Sequence, residues 1–357
     1  MHRICISSLR VFSSPPIRSH SSRKLLSSPF SKPPFLTRQF TSYNKTTNGT
    51  TFHPSNRLSG RTCMITGGSS GIGLAVAERF LQEGVDRIIL VGRSYKRLVG
   101  AAKQLERPAS EDLDATQPTG DESDSVATRS PEEDQSQDRS KLSPGTLIDS
   151  SNRISFLVGD VSEAASWTRE LEGAMQSVHI LINAAGISTS RVLAQTSPSD
   201  ISQVLRTNLE GSLLTSRAFV RASIRNRIKS RTDIDAAPPA SKCIINISSL
   251  LALKAGTGAV PYAATKAGIL GLTRSLAVET AHTLRGQIIR CNVIVPGYIE
   301  TPMVADFSDA ETTRLKGEIP LGRFGQPHEI ADAAVFLAQN EYANNCVLNL
   351  DGGLSAL

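Results

Sequence analysis

Residues 66–73 read Thr66-Gly67-Gly68-Ser69-Ser70-Gly71-Ile72-Gly73, and this stretch decides the fold. An apolar segment at residues 62–65 precedes it, and a helical pattern of apolar residues follows at residues 74–81. A strand, a glycine turn and a helix in this order form the context of a dinucleotide site, where amides at the helix start hold a pyrophosphate. An ordinary glycine-rich turn is the alternative interpretation. The flanking strand and helix favour the nucleotide site.

Three glycines of this turn have separate tasks in such a site. Gly67 permits the tight turn, Gly71 lets a pyrophosphate approach the backbone, and Gly73 lets the helix pack closely against the strand. We therefore predict cofactor contacts by six residues of the turn: Gly67, Ser69, Ser70, Gly71, Ile72 and Gly73.

The charge of the chain is unevenly distributed. The 357 residues include 39 Lys and Arg and 33 Asp and Glu, a formal net charge of +6. Residues 1–60 hold nine of the basic residues and none of the acidic ones, so 30 basic and 33 acidic residues remain, a net charge of −3. The folding part therefore gives no charge argument for nucleic-acid binding. No apolar run reaches the roughly 18 residues of a membrane-spanning helix.

The basic N-terminal segment has the composition of a mitochondrial transit peptide, because it is rich in Ser and Arg and lacks acidic residues. Residues 38–42, Arg-Gln-Phe-Thr-Ser, resemble a matrix-processing site. We predict that residues 1–57 are a mitochondrial leader outside the fold and that residues 58–357 form the folded domain of a matrix protein. A disordered tail without a targeting role and a plastid address are the alternatives.

A second change of composition interrupts the domain at residues 106–150, which contain twelve acidic residues, four basic residues and no aromatic residue. Such a segment cannot bury enough apolar surface to offset the entropy lost on ordering. We expect a disordered acidic insertion, and a docking segment for a partner is the alternative. Residues 228–241 are polar and contain proline, which indicates another inserted loop.

The five cysteines and six histidines show no metal-binding spacing. One cysteine lies in the leader, and each of the other four falls in an apolar strand-like run without a CxxC pair. Buried free thiols are typical of a reducing compartment rather than of a disulfide framework. The dispersed histidines predict no metal site.

Apolar strand patterns alternate with helical patterns along the domain. The predicted strands lie at residues 61–66, 87–91, 154–158, 178–183, 243–247, 288–295 and 347–350. Helical patterns separate most of them, and the longest cover residues 199–227 and 261–282. The alternation predicts an α/β fold, a single doubly wound Rossmann-like domain with a mostly parallel sheet of seven strands.

The end of the second predicted strand bears on the choice between NADH and NADPH. An NAD site places an acid about twenty residues after the glycine turn, where it accepts from the ribose 2′-hydroxyl. Here Gly92 and Arg93 occupy this place, so no carboxylate repels a 2′-phosphate and a guanidinium can pair with one. We predict NADP(H), and a surface Arg93 that caps the next helix is the alternative. Ser70 weakens this prediction, because NADPH sites often carry a second basic residue there.

Two further strand ends offer cofactor contacts. Asp160 follows the strand at residues 154–158 and can accept from the adenine amino group. Residues 183–186, Asn-Ala-Ala-Gly, form a turn of small residues that can lie against a flat ring.

Tyr262 and Lys266 are four residues apart on a predicted helix, so they share one face. A free phenol has a pKa of about 10, and a nearby ammonium lowers the pKa towards the range in which acid–base catalysis is efficient. Lys266 can also donate to ribose hydroxyls. Ser249, thirteen residues before Tyr262, can hold a substrate carbonyl beside the phenol. Asn208 can hold a water that relays protons to Lys266.

Each of these residues also has an ordinary structural explanation. Tyr262 and Lys266 can be a surface pair, Ser249 can belong to a turn, and Asn208 can be a buried hydrogen-bonding residue. Their joint occurrence after a nucleotide-binding half favours catalysis.

This set of motifs resembles the short-chain dehydrogenase/reductase family over residues 58–357, apart from the two insertions. The resemblance rests on the glycine turn, Asp160-Val161, Asn183-Ala-Ala-Gly186, Asn208, Ser249, Tyr262, Lys266 and Pro296-Gly297. It implies that Ser249 orients the carbonyl and Tyr262 donates the proton. It also implies that Lys266 positions the cofactor and Asn208 completes the proton relay. Further cofactor contacts implied by the family's pattern are Val161, Asn183, Ala185, Gly186, Pro296, Gly297, Ile299 and Thr301. Ala184 departs from the pattern, which usually has a second Asn there.

The C-terminal third is similar to the bacterial-type 3-oxoacyl-[acyl-carrier-protein] reductases of this family at residues 299–303, 319–330 and 350–353. This similarity implies NADPH-dependent reduction of a 3-oxoacyl thioester on acyl carrier protein, in mitochondrial fatty acid synthesis. It also implies a homo-oligomer, a tetramer by the family's pattern. The alternatives are an enzyme for another ketone or alcohol, such as a steroid, sugar or quinone, and a catalytically silent subunit that only binds nucleotide.

An acidic carrier protein would require a basic docking surface. Arg225, Arg227 and Lys229 close the predicted helix at residues 199–227, and Arg285 follows the next helix. Both helices pack at the subunit interface in this family, which would bring these residues together beside the active-site mouth. We expect docking there by electrostatic attraction that salt screens. Solvated helix-end cations favoured by the helix dipole are the alternative.

Overall fold

Eight strands form one sheet in the computed structural model, which describes residues 56–106, 142–230, 241–283 and 288–356. The strands are β1 (Thr62–Thr66), β2 (Arg87–Gly92), β3 (Thr146–Asp149), β4 (Ile154–Val158), β5 (Ile180–Asn183), β6 (Lys242–Ile247), β7 (Ile289–Pro296) and β8 (Val347–Leu350). Their order across the sheet is β3-β4-β2-β1-β5-β6-β7-β8. Among the described strands, only β3 and β4 pair in antiparallel fashion. The predicted α/β, Rossmann-like fold is confirmed.

Helices lie between the strands and cover both faces of the sheet. They are α1 (Gly71–Gln82), α2 (Tyr95–Leu105), α3 (Thr168–Ala174), α4 (Pro198–Leu205), α5 (Gly211–Ser230), α6 (Val260–Thr283), α7 (Asp309–Glu318) and α8 (Pro327–Gln339). A π-helical turn, Arg206–Glu210, joins α4 to α5. Among the described residues, no helix has both the length and the apolar composition needed to cross a membrane.

The core has a layer on each face of the sheet, because successive side chains of a strand point to opposite faces. Ile65 of β1 packs in the layer that contains Phe80 of α1 and Ala334 of α8. Its neighbour Met64 packs in the opposite layer with Phe219 of α5. All five side chains are fully buried. Full burial of a large apolar side chain contributes about 1.5–3 kcal/mol to folding, so both layers hold the strand ends in place.

The prediction of seven strands is wrong, because β3 lies inside the segment that we expected to be a disordered insertion, residues 106–150. Residues 142–150 are described, and β3 pairs with β4 at the edge of the sheet. Leu147 and Asp149 are exposed, so this strand shows no continuous apolar run that a sequence pattern could reveal. The predicted insertion therefore cannot extend to residue 150, and residues 107–141 of it lie outside the described residues.

Two other predicted boundaries also move. The helix predicted at residues 199–227 is divided by the π-helical turn, and its second part continues to Ser230, inside the expected loop. Residues 231–240 of that loop and residues 1–55 of the predicted leader lie outside the described residues. Leu58, the first residue of the predicted domain, is only 2% exposed.

The chain order places a ligand crevice beside β1. From β1 the connections run to β2 on one side, and β5 lies on the other side. In doubly wound sheets, ligands bind outside the carboxyl ends of the strands at this reversal of strand order. The glycine turn follows β1 and therefore lies at that place.

Candidate active site

The glycine turn is too tightly packed for side chains. A Cβ on Gly67 would lie 2.8 Å from the Cα of Ala185, and a Cβ on Gly73 would lie 2.4 Å from the carbonyl oxygen of Gly67. Gly67 and Gly71 also adopt positive φ angles of 69° and 54°, which favour glycine. The turn therefore holds helix α1, the turn itself and the end of β5 against one another.

The first turn of α1 has no side-chain cap. Ser70 occupies the N-cap position, but its side chain makes no capping hydrogen bond. Its Oγ instead accepts a 3.0 Å hydrogen bond from Nη2 of Arg97 on α2. The leading amides of α1 are therefore available to an anion, as a pyrophosphate site requires. Arg97 was not among the predicted cofactor contacts. Its position in the first turn of α2, which contains no acidic residue, is a sequence feature that could have indicated an anion site.

The ends of β1 and β5 are joined by one hydroxyl. The Oγ1 of Thr66 accepts 3.2 Å hydrogen bonds from the backbone amides of both Ala184 and Ala185. This holds the small-residue turn that follows β5 beside the glycine turn. Ala185 and Gly186, which we predict to lie against a flat ring of the cofactor, are therefore held beside the glycine turn.

Asn183 contributes differently from what its motif suggested. Its side chain is buried and donates to the Oδ1 of Asn246 at 2.8 Å and to Ser216 at 3.1 Å, while its Oδ1 accepts from Thr215 at 2.8 Å. The amide thus joins β5 to β6 and α5. Only the backbone of Asn183 remains for the predicted cofactor contact.

Asp160 and Arg93 lie next to each other at the ends of β4 and β2. The Oδ1 of Asp160 accepts from the backbone amide and the hydroxyl of Ser162, at 2.9 and 2.8 Å. Nη1 of Arg93 lies 3.5 Å from Oδ2, and the Arg93 side chain is 62% exposed. Val161, the next predicted contact, is buried.

The segment after β7 closes the other side of the glycine turn. A Cβ on Gly71 would lie 3.3 Å from the Cγ2 of Thr301, and a Cβ on Gly297 would lie 2.7 Å from the Cα of Asp351. Ile299 is buried, and Pro296 ends β7. Of the predicted contacts in this segment, Thr301 therefore lies beside the glycine turn.

Two of the predicted catalytic residues, Lys266 and Asn208, meet beside Gly186, and Tyr262 lies next to Lys266. Nζ of Lys266 and Oδ1 of Asn208 would each lie 3.5 Å from a Cβ on Gly186. Nζ of Lys266 lies 5.5 Å from the centroid of the Tyr262 ring and donates a 2.8 Å hydrogen bond to the carbonyl of Ile247 at the end of β6. The two polar groups therefore lie within contact distance of the same point beside Gly186.

Asn208 lies in the π-helical turn between α4 and α5. Its Oδ1 accepts from the amide of Ile187 at 2.8 Å, and its Nδ2 donates to the carbonyl of Ile187 at 2.9 Å and to Oγ1 of Thr265 at 3.2 Å. Turns of this kind occur often at functional sites. Here the side-chain amide of Asn208 connects the loop after β5 to helix α6.

Ser249 follows β6 and lies beside the phenol. Its hydrogen bond with Tyr262 acts to lower the pKa of that phenol, but burial acts more strongly and raises the pKa above its ordinary value. Its Oγ also accepts from the amide of Leu251 at 3.3 Å. The Ser249 hydroxyl can therefore form a hydrogen bond with a group that is bound next to Tyr262.

The prediction that Lys266 lowers the pKa of Tyr262 is wrong for this structure. Burial lowers the pKa of Lys266 itself to about 8. An amine with a pKa of about 8 loses its charge as the pH rises above about 8, where a permanent cation would still stabilise a phenolate. The burial of both groups, which spacing alone does not reveal, decides the direction.

The basic residues of the expected docking surface are only partly described. Nη2 of Arg225 lies 2.6 Å from Glu172, whose side chain is only 5% exposed, and Nε of Arg221 lies 2.7 Å from the same carboxylate. Arg225 is therefore already paired within the protein. The side chains of Arg227 and Lys229, and all of Arg285, lie outside the described residues.

No group of three or more His, Cys, Asp or Glu side chains comes together as a possible metal site in the part of the chain that the structure describes. Cys63, Cys243 and Cys291 are buried free thiols in the central strands, and Cys346 is half-buried.

Comparison with known protein families identifies the family of this chain. A model described as short chain dehydrogenase matches residues 61–129, and one described as enoyl-(acyl carrier protein) reductase matches residues 134–355. The chain belongs to the short-chain dehydrogenase/reductase family. As a member of the short-chain dehydrogenases/reductases, it is an oxidoreductase.

Several relatives share most of their length with this short-chain dehydrogenase/reductase. The 3-oxoacyl-[acyl-carrier-protein] reductase of Bos taurus is 33% identical over 294 residues, 82% of this chain and 98% of the relative. The human protein of that name is 32% identical over 297 residues, 83% and 99% of the two chains. The FabG protein of Thermotoga maritima, with the same name, is 30% identical over 301 residues, 84% and 99%.

A solved structure gives the same fold. A putative NAD(P)-dependent gluconate 5-dehydrogenase from Beutenbergia cavernae, with bound NADP, matches with a TM-score of 0.63 and 26% identity, over 84% of this chain and 98% of that chain.

Proposed function

We propose that this enzyme reduces a 3-oxoacyl thioester carried by acyl carrier protein to the 3-hydroxyacyl thioester, with NADPH as the reductant. The convergence of Tyr262, Lys266 and Asn208 beside a glycine turn carries this proposal, with Ser249 next to the phenol. The relatives named 3-oxoacyl-[acyl-carrier-protein] reductase support the substrate class.

The crevice fits a dinucleotide. Gly67 packs against Ala185 and Gly73 against Gly67, which fixes the shape of the turn, and the uncapped amides of α1 provide donors for a phosphate. The solved relative with bound NADP supports NADP(H) as the cofactor. When bound, NADPH supplies the hydride for the ketone carbon. Lys266 can donate to its ribose, and the turn after β5 can lie against its ring.

Tyr262 and Ser249 act on the ketone oxygen. Ser249 donates a hydrogen bond that holds the carbonyl beside the phenol, and the Tyr262 hydroxyl gives its proton to the oxygen as the C–O bond becomes single. Burial keeps the Tyr262 phenol protonated at neutral pH, because it raises the phenol's pKa. The phenol is therefore in the form that a proton donor needs.

The proton on Tyr262 must then be replaced from solvent. Lys266 and Asn208 face the same small space next to Gly186, within 3.5 Å of one position. A water in this space could connect them. Asn208 is held by Ile187 and Thr265, so its amide orientation is fixed. This supports a relay in which Lys266 receives a proton and passes it to Tyr262.

We place the enzyme in the mitochondrial matrix and assign it to fatty acid synthesis there. The Ser- and Arg-rich, acid-free segment at residues 1–57 supports an import signal. The docking of an acidic carrier at Arg225 would compete with Glu172, which makes a 2.6 Å ion pair with Arg225. A homotetramer is part of the same proposal, by resemblance to the family.

A dehydrogenase for a sugar alcohol or sugar acid is a second candidate. The match to a putative gluconate 5-dehydrogenase, at 26% identity, favours it. A silent nucleotide-binding subunit is disfavoured because the four catalytic positions are all filled by residues that can act.

A direct assay tests the proposal. The purified enzyme is given acetoacetyl and longer 3-oxoacyl thioesters, free and on acyl carrier protein, with NADPH and NADH in parallel and gluconate with NADP⁺ as a comparison. We expect oxidation of NADPH with the 3-oxoacyl thioesters. Turnover of gluconate alone would favour the second candidate, and no turnover with any substrate would favour a silent subunit.

A further inference from the structure

Arg97 joins the second helix to the glycine turn. It lies in the first turn of α2, and its Nη2 donates to the Oγ of Ser70, 27 residues earlier in the chain. Ser70 is the N-cap residue of α1, at the end of the glycine turn. The guanidinium is therefore held at the glycine turn although its own residue lies on another helix.

The charges around Arg97 leave it without a matching anion. Lys96 and Arg97 lie in the first turn of α2, which contains no acidic residue, and Arg93 precedes them. Cations at a helix N-terminus are disfavoured by the helix dipole. No carboxylate among the described residues makes an ion pair with Arg97, whereas Arg93 has Asp160 at 3.5 Å.

We propose that Arg97 binds the 2′-phosphate of NADPH and so determines the preference for NADPH over NADH. It provides from α2 the second basic group that NADPH sites often carry at the position of Ser70. This inference rests on the proposed function in one respect only, the use of a phosphorylated nicotinamide cofactor.

The partners of the two arginines explain why Arg97 is the better candidate. Arg97 would exchange a neutral hydroxyl, that of Ser70, for a phosphate, and hydrogen bonds between charged groups are roughly twice as strong as neutral ones. Arg93 would have to turn away from a carboxylate. A phosphate bound at Arg97 therefore gains more than one bound at Arg93 alone.

Direct binding measurements on the purified full-length chain test this role without activity. Calorimetry gives the Kd of NADPH and NADH for the wild type, for Arg97→Ala and for Lys103→Ala. Lys103 is the matched control, because it is an exposed cation in the last turn of the same helix. A double variant, Arg97→Ala with Ser70→Arg, tests whether a cation at the turn restores the preference.

We expect Arg97→Ala to weaken NADPH by about tenfold or more, the loss expected for one charge-assisted hydrogen bond, and to leave NADH within twofold. Lys103→Ala should leave both unchanged, and the double variant should regain most of the preference. If Arg97→Ala weakens both cofactors alike or neither, the role of Arg97 is wrong while the proposed function stands. If the wild type itself binds both equally, the role of Arg97 and the NADPH part of the proposed function both fall. Failure to reduce 3-oxoacyl thioesters affects only the proposed substrate.

Discussion

Lys266 lies one turn after Tyr262 on α6, and its Nζ donates to the carbonyl of Ile247 at the end of β6 while standing 5.5 Å from the phenol ring centroid. The ammonium is therefore held by the sheet and not by the tyrosine. This anchoring ties Lys266 to β6 through a backbone carbonyl and does not involve the Tyr262 hydroxyl.

Loss of the phenol should remove the proton donor while leaving the fold intact. For Tyr262→Phe we expect turnover to fall by roughly 10²–10⁴-fold, the range for general acid–base catalysis, with NADPH still bound. Steady-state kinetics and calorimetry measure the two effects. Tyr342→Phe is the control, because Tyr342 is 98% exposed. Near-native turnover of Tyr262→Phe would show that another group donates the proton.

Cofactor affinity should depend on the protonation of Lys266. Burial lowers its pKa from 10.5 to about 8, so the ammonium that donates to a ribose is present below about pH 8 and is lost above it. We expect the affinity of the free enzyme for NADPH to fall as the pH rises through about 8, measured by calorimetry between about pH 6.5 and 9.5.

Lys266→Met separates this effect from other titrations. Burial also lowers the pKa of Lys242 to about 8, at the other end of β6. The variant should bind NADPH more weakly at low pH and lose the pH dependence. A pH dependence that survives in Lys266→Met would assign it to another group.

The same shift has a consequence for stability. Between about pH 8 and 10.5 the unfolded chain holds the Lys266 proton and the folded protein does not, so this group makes stability rise with pH in that window. At neutral pH, burial of the charged amine therefore costs the free enzyme stability.

A methyl group at two different glycines should have opposite effects. In Gly73→Ala the Cβ would lie 2.4 Å from the carbonyl oxygen of Gly67, so we expect lower stability and weaker NADPH binding. In Gly100→Ala, within α2, the Cβ meets no atom within 4 Å, and the helix should gain up to about 1 kcal/mol. Urea denaturation measures both. Equal stability of the two variants would contradict the packing of the glycine turn described above.

The acidic insertion can be shortened only as far as β3 allows. Replacing residues 107–141 with a short Gly/Ser linker should change the free energy of unfolding by about 1 kcal/mol or less, because loop closure costs only about 0.6 kcal/mol per doubling of length. Extending the deletion through residue 150 also removes β3 and should destabilise the domain clearly. If the shorter deletion prevents folding, residues 107–141 have a structural role.

Carrier docking at α5 is best tested with a neutral substitution. A glutamate at position 225 would add a second carboxylate beside the buried Glu172, so Arg225→Gln is the cleaner change. Activity on the carrier-bound thioester should fall several-fold at low salt and less at high salt, because salt screens the attraction. Activity on a carrier-free thioester is the control and should remain unchanged. An equal loss of activity on both substrates would show that Arg225 supports the structure of the active site and does not form a docking surface.

The features that the sequence predicts well depend on short-range spacing. Gly67, Gly71 and Gly73 lie within one turn, and Tyr262 and Lys266 are one helical turn apart, so the chain alone brings each group together. Strand alternation likewise predicts the α/β fold, because most strands are buried on both faces and carry long apolar runs.

The features that the sequence does not predict depend on contacts between distant elements. Arg97 meets Ser70 only because β2 and β1 are neighbours in the sheet. The side chain of Asn183 is taken by Asn246, 63 residues away. The pKa of Tyr262 follows from burial, which depends on the whole fold.

The position of β3 also affects how the sheet can assemble. Only residues 150–153 separate β3 from β4, whereas more than forty residues separate α2 from β4. A hairpin closes over a short loop and loses little entropy, while pairing β4 with β2 requires closure of a much longer one. β4 can therefore gain a partner locally before the long connection is closed. The rate at which the β3–β4 hairpin forms should thus depend little on the length of the acidic insertion.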